Sequence, residues 1–183
     1  MNMNLRKISD EVFVASDPIV KIGPAEVAFV KQQALLNQRK RARICAHKTN
    51  DDALHEMIIA IAAASYVRPH KHLHKAESFH IVEGEVDVVV FDDVGGVVEV
   101  IELGGPLTGR NFFYRLAQSS FHTLLIRSEF LVVHEVTNGP FLREATLFAA
   151  FAPQEENTAE ARDYMKRVAI MAQEFRQASH TIV

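Results

Sequence analysis

A chain of 183 residues, 48% of them apolar and 23% charged, is long enough to build one hydrophobic core and short for two complete domains. Its formal net charge of -3 and isoelectric point near 6.3 oblige no face to be basic, which argues against nucleic acid as a partner. A lone cysteine, Cys45, excludes an internal disulfide and a thiolate metal cage, and its apolar neighbours read as the setting of a buried, inert thiol.

The first residues, MNMNLRKISDEVF, contain no apolar core of a secretory signal. The longest apolar stretch, residues 57–67, is too short to span a bilayer, so a soluble cytoplasmic protein with no membrane partner is the expectation. VFVAS reads as a short strand. Residues 23–40 read as a helix: Gly23 and Pro24 mark its start, proline being tolerated at the first helical position, and Val27, Phe29, Val30 and Ala34 give an apolar stripe at helical spacing. The basic run RKRAR at 39–43 reads as a solvated turn, with a phosphate patch as its alternative, and HKTNDDA at 47–53 is a loop.

From residue 54 to about 151 the segments become short, β-branched and broken by turn signals. HEMIIAIAAASYV is a strand, or two strands with a bend. ESFHIVEGEVDVVVFDDVGGVVEVIEL reads as a three-stranded meander turning at Glu83-Gly84 and at DDVGG. GGPLTGR at 104–110 is a loop, NFFYRLA, FHTLLIRS and FLVVHEVT are further strands, and NGP at 138–140 is a turn. Strands with no long helix between them predict a mainly β, antiparallel sandwich or small barrel. Residues 157–179 then read as a helix capped by Asn157 or Thr158. Its stripe of Tyr164, Val168, Met171 and Phe175 packs against the barrel or a subunit partner. The division expected is a segment 1–53 carrying a helix over about 24–38, a barrel over 54–153 and a C-terminal helix within 154–183, all in one structural domain.

The stretch RPHKHLHKAESFHIVEG, residues 68–84, holds four of the nine histidines. Residues i and i+2 of a strand point the same way, so His70 and His72 can present two imidazoles on one face. A turn between His72 and Glu77 would bring the carboxylate back beside them. A third imidazole has to come from far along the chain, and His122 supplies it at the end of the inward row His122, Leu124, Ile126. Three imidazoles and a carboxylate suit a divalent first-row metal, Zn, Fe, Mn, Ni or Co, and do not suit Ca or Mg. The residues alone leave the bland reading open as well, since a histidine on an apolar face is commonly just a satisfied core residue.

The spacing His70-x-His72, four residues, Glu77, six residues, Gly84 resembles the first motif of the cupins, whose fold is the double-stranded β-helix or jelly roll. Of the second cupin motif only His122 is kept: Ala117 and Ser119 stand where proline and glycine belong, and Ile126 replaces asparagine. SYVRPHKHLHKAESFHIVEGEVDVVVFDDVG, then FHTLL, HEVTNGPF and FAAFAP, with RARICAH and NDDALHEM upstream, resemble the WbuC family of cupin-fold metalloproteins over roughly residues 39–153. The resemblance implies a single cupin barrel with an N-terminal and a C-terminal helix, and one divalent transition-metal ion held by His70, His72, Glu77 and His122 with coordination positions left open. The family's association with O-antigen and other surface-polysaccharide gene clusters implies a small polar ligand such as a sugar or sugar nucleotide, handled by isomerase or epimerase chemistry. An Fe(II)-dependent dioxygenase and a non-catalytic binding module are the alternatives.

Arg68, on the strand face shared with His70, can meet a negative group, and Arg110 and Arg115 are further candidates. His74 falls in the turn before Glu77, as an alternative ligand or proton carrier. His80 points away from Glu77's face. His47 and His55 flank a strand, and only one of His134 and Glu135 can face inward. The inward rows Val86, Val88, Val90 and Leu124, Ile126 leave no passage for a polymer. Small cupins often pair their barrels, and the apolar terminal elements predict a homodimer.

Overall fold

Alternating strands need two faces to bury, and this chain meets the requirement with two sheets laid one over the other. The computed structural model describes residues 3–180. Its strands are β1 (Leu5–Lys7), β2 (Val12–Ala15), β3 (Arg41–Cys45), β4 (Leu54–Ala62), β5 (His70–His72), β6 (Glu77–Glu83), β7 (Glu85–Phe91), β8 (Val97–Gly104), β9 (Phe113–Leu116), β10 (Phe121–Ile126), β11 (Phe130–Asn138) and β12 (Thr146–Phe148). Helix α1 (Pro24–Leu36) precedes β3, and α2 (Thr158–His180) closes the chain. One sheet runs β1-β2-β3-β4-β11-β6-β9, the other β12-β5-β10-β7-β8. All neighbours are antiparallel except β2 and β3. Between the sheets lie Met57, Ile59, Ile61, Phe79, Ile81, Leu131 and Val133 from the first, and Val86, Val88, Val90, Leu103 and Leu124 from the second. This is the expected jelly-roll double-stranded β-helix, mainly β with a helix toward each end.

Of the expected meander over residues 77–103 the hairpin turning at DDVGG forms, pairing β7 with β8, but the first turn does not pair β6 with β7. Strand β6 lies between β11 and β9, while β7 lies in the other sheet between β10 and β8. The turn at Glu83-Gly84 is therefore a passage from one sheet to the other and not a hairpin. Gly84 makes it possible: its φ is +90°, and a Cβ there would stand 2.1 Å from the Phe130 carbonyl oxygen. The β6–β11 register also shifts beside Val132 and Val133, opposite the end of β6, as a bulge does where a strand bends away.

Helix α1 stops sooner than its composition suggests. The Asn37 side-chain amide donates to the Gln33 carbonyl at 3.0 Å and to the Arg41 carbonyl at 2.7 Å, turning the chain directly into β3. That strand occupies the basic run read as a turn. Ala42 and Ile44 face outward under α1, together with Val30, Ala34, Ala60 and Val132, so Arg41 and Arg43 point between the sheets. On α2, Ala161, Tyr164, Val168 and Ala172 cover Val89, Phe91, Phe121 and Leu125 on the outer face of the second sheet. Most of that apolar stripe is thus used within the chain, with Met171 and Phe175 half-buried. Arg127 and Arg176 both donate to Asp87 on β7, tying α2 and the sheet to one buried carboxylate. No helix among the described residues is long and apolar enough to cross a membrane.

Candidate metal centre

Strand β5 is only a few residues long, but it is held on both sides. His70 lies opposite His122 of β10 and opposite Phe148 of β12, and His72 lies opposite Thr146. Directly opposed residues, and residues two apart on one strand, share a face. His70, His72 and His122 accordingly gather on the inner face of the second sheet. Ring centroids are 4.9 Å apart for His70 and His72, 4.7 Å for His70 and His122, and 6.1 Å for His72 and His122. One nitrogen from each imidazole lies within 4.8 Å of the others, so this triad could hold a metal ion. Glu77 reaches across from β6 in the opposite sheet, with its oxygens 3.5 Å from His72 Nε2 and 3.4 Å from His122 Nε2.

The outer nitrogens decide what the inner ones offer. His70 Nδ1 lies 2.8 Å from the Arg68 carbonyl and His122 Nδ1 lies 3.0 Å from the Ser120 carbonyl. A carbonyl oxygen only accepts, so both Nδ1 atoms carry a proton and donate it, and in the neutral ring it is Nε2, on the side of the centre, that holds the lone pair a metal ion would take. His72 Nδ1 is placed in the same way, 3.1 Å from Thr146 Oγ1. Outer hydrogen bonds of this kind fix ring orientation and tautomer in metal-binding histidines. Tyr114 donates its hydroxyl to Glu77 Oε1 at 2.8 Å, which steadies the carboxylate. Three nitrogens and one carboxylate, three of the four arriving on short, well-paired strands, fit a divalent first-row ion.

The electrostatics are those of a tightly packed polar cluster. Burial holds the His70 imidazole down to about 3, and the neighbouring positive charge of His122 and His72 adds to it. Burial alone would raise Glu77, but the charge of His122 and hydrogen bonds from His122 and His72 keep its carboxyl well below the usual range. Burial opposes charge on His122, yet the Glu77 carboxylate outweighs it and the imidazole is raised. Burial, then the adjacent Glu77 charge, pushes the Tyr114 phenol well above its ordinary value.

The four side chains line one end of a cavity of about 180 Å³. Arg68 lines it too, as its strand face suggested; its Nη2 donates to the Ala149 carbonyl at 3.0 Å and its guanidinium lies 5.1 Å from the Phe148 ring centre. Arg115 and His74 do not line it. Tyr114 takes the inward position on β9 and leaves Arg115 exposed on the outer face, while His74 sits exposed in the turn with φ +58°. Arg110 is engaged elsewhere, 3.0 Å from Glu85. His80 is exposed beside the Phe112 ring, and His134 points outward to within 3.6 Å of Glu56. His47 and His55 stack on each other with ring centres 4.0 Å apart. Cys45 is buried, and burial pushes its thiol up to about 11.

The charged cavity residues that the reading of the sequence did not place there are Arg39, Arg41, Arg43, Glu135 and Glu155. The signal for Glu135 was the row Leu131, Val133, Glu135, whose first two members are fully buried. Glu135 takes no hydrogen bond and no ion pair through its carboxyl among the described residues. Burial, followed by the charge of Glu77, pushes that carboxyl up to about 8. The signal for Arg41 and Arg43 was RARIC itself, which alternates as a strand does.

A family described as a domain of unknown function, DUF6016, matches residues 23–103. No curated protein matches the chain in sequence. Among solved structures the chain is similar to a protein from Shewanella oneidensis, with 13% identity and a TM-score of 0.47 over 65% of this chain and 74% of that one. It is similar to an uncharacterized conserved protein with a double-stranded β-helix domain from Klebsiella pneumoniae, with 14% identity and a TM-score of 0.46 over 60% of this chain and 79% of that one. It is also similar to the cupin domain of Cnp3 from Schizosaccharomyces pombe, with 12% identity and a TM-score of 0.43 over 56% of this chain and 66% of that one.

Proposed function

We propose that His70, His72, Glu77 and His122 hold one divalent transition-metal ion, and that the chain is a metal-dependent enzyme for a small polar molecule taken into the barrel. The observation that carries this reading is the convergence of three imidazoles whose outer nitrogens are already engaged, facing a carboxylate from the opposite sheet. Bound there, such an ion supplies a Lewis acid for a carbonyl, carboxylate or diol oxygen.

The chain's own residues supply the rest. Glu135, lining the same cavity with no hydrogen-bond partner of its own among the described residues, takes up or returns a proton; a carboxyl raised toward neutrality suits either direction. Tyr114 keeps Glu77 in place. Ile59, Phe79 and Leu124 give the cavity apolar walls that limit water. An acid-base group besides the ligands favours a proton-moving isomerase or epimerase over a module that merely binds. The resemblance to the WbuC family supports a sugar or sugar nucleotide of bacterial surface-polysaccharide (O-antigen) metabolism as the substrate; with about 180 Å³ inside, the sugar occupies the cavity and a nucleotide extends beyond it.

The test uses cobalt-loaded protein titrated with free sugars, sugar nucleotides and small keto acids, beside oxygen uptake by the iron(II)-loaded form. A sugar that perturbs the cobalt spectrum, without oxygen uptake, is the expected result. Oxygen uptake stimulated by a keto acid or thiol, with sugars silent, replaces this reading with the dioxygenase one.

A further inference from the structure

The inner face of the seven-stranded sheet carries three charged residues in a diagonal. Arg43 of β3 lies in the row that pairs Ile59, Val133 and Ile81; Glu135 of β11 lies in the next inward row, with Met57 and Phe79; Glu77 of β6 lies in the row after that, with Thr137. All three line the same cavity. Glu135 accordingly stands between Arg43 and the imidazole end, and it feels the charge of both Glu77 and Arg43.

The arginines of this cavity are not equivalent. Arg39 and Arg41 are both bound by Glu155, and Arg39 also by Glu11. Arg68 donates to the Ala149 carbonyl and lies against Phe148. Among the described residues the guanidinium of Arg43 finds only the Met57 sulfur, at 3.8 Å, a weak acceptor. Four guanidiniums, Arg39, Arg41, Arg43 and Arg68, line the space against three carboxylates, Glu77, Glu135 and Glu155, so it is cationic before any metal ion is counted. Arg41 and Arg68 each keep a buried Nε without an acceptor among the described residues, but both hold an oxygen through Nη2; Arg43 is the guanidinium that meets no oxygen there, and such a fork matches a single carboxylate, which it can bind bidentately.

We infer that Arg43 is the anion-binding residue of this cavity and that its ligand is a compact carboxylic acid, a sugar acid or small keto acid, with the carboxylate on Arg43, an oxygen-bearing end toward the imidazoles, and the atoms between them beside Glu135. The position of the second end rests on the metal reading above; the carboxylate on Arg43 does not.

The test is calorimetric titration of the full-length chain, metal-free and cobalt-loaded, with malonate and with its neutral isostere malonamide. Malonate should bind at least about tenfold more tightly than malonamide, and Arg43→Gln should lower malonate affinity by at least about tenfold, because the interaction lost is charge-assisted. Cobalt uptake by Arg43→Gln should equal that of the unaltered chain. Equal affinity for malonate and malonamide, no malonate binding in either form, or unchanged malonate affinity in a folded Arg43→Gln overturns the inference. Should Arg43→Gln fail to fold, the contrast between malonate and malonamide in the unaltered chain decides the matter. Failure of the chain to take up cobalt refutes the metal reading only, and the same titrations on the metal-free chain still judge Arg43.

Discussion

Replacing Gly84 by alanine should be among the most costly single-methyl changes available in this fold, and the structure allows the cost to be worked out in parts. Gly84 holds φ at +90°, which costs a residue with a side chain about 1–2 kcal/mol. The added Cβ would also stand 2.1 Å from the Phe130 carbonyl oxygen, a backbone atom of β11 that no rotamer change can move away, and 2.5 Å from Ser128 Oγ. Overpacking of that kind adds about 1–3 kcal/mol, for roughly 2–5 kcal/mol in all. Two other glycines separate the contributions. Gly109 also has a positive φ, +77°, but open space around it, so Gly109→Ala should show the backbone part alone, about 1–2 kcal/mol. Gly105 has neither feature, and Gly105→Ala should stay within about 0.5 kcal/mol of the unaltered chain. Urea unfolding of the metal-free proteins, followed by circular dichroism with the slopes compared, measures all three. If Gly84→Ala costs no more than Gly109→Ala, the close approach to Phe130 is refuted, and with it the account of how the chain passes between the sheets.

Glu135 gives a pH signature. Its folded-state carboxyl is pushed up to about 8 from an ordinary 4.5, so the folded chain keeps a proton that the unfolded chain releases. The stability from this group is therefore complete below the unfolded value and is lost as pH rises toward 8. In the metal-free protein Glu135→Gln should gain on the unaltered chain by more than about 1 kcal/mol between pH 5 and pH 8, and a difference that stays flat with pH contradicts this placement. His74→Ala should keep its metal and His70→Ala should lose it, because His74 stands exposed in the turn while His70 joins the triad; metal content of the two variants decides it, and equal loss would reassign the ligands. Light scattering should give twice the 20.5 kDa chain mass for the expected homodimer, against a single-chain mass for a monomer.

What could be read from the sequence followed the alternation of apolar residues. Val86, Val88, Val90 and Leu124 announced their inward rows, and the pairing of β10 with β7 buries them as read. The same rule brought His70, His72 and His122 to one face. The order of strands was not legible. A short connection with glycine between two alternating segments is the ordinary mark of a hairpin, and what makes Gly84 a passage between sheets is its contact with Phe130, far along the chain. Charged residues on inward rows were the second blind spot. Arg41, Arg43 and Glu135 look like solvent-facing positions until the pairing of β3, β4 and β11 is known. Arg115 shows the converse: a shift of one residue moves a side chain to the opposite face, and Tyr114 holds the inward place.

The central claim is that three imidazoles and one carboxylate brought together from two sheets hold an ion. Elemental analysis by mass spectrometry, on protein purified without a histidine tag, tests it most directly when the unaltered chain is compared with a His72→Ala, His122→Ala double variant. The account predicts about one transition-metal ion per chain in the first and almost none in the second, because the remaining donors cannot close the site. Full occupancy in the double variant, or a metal-free unaltered chain that takes up no cobalt, zinc, iron, nickel or manganese when offered them, would contradict it.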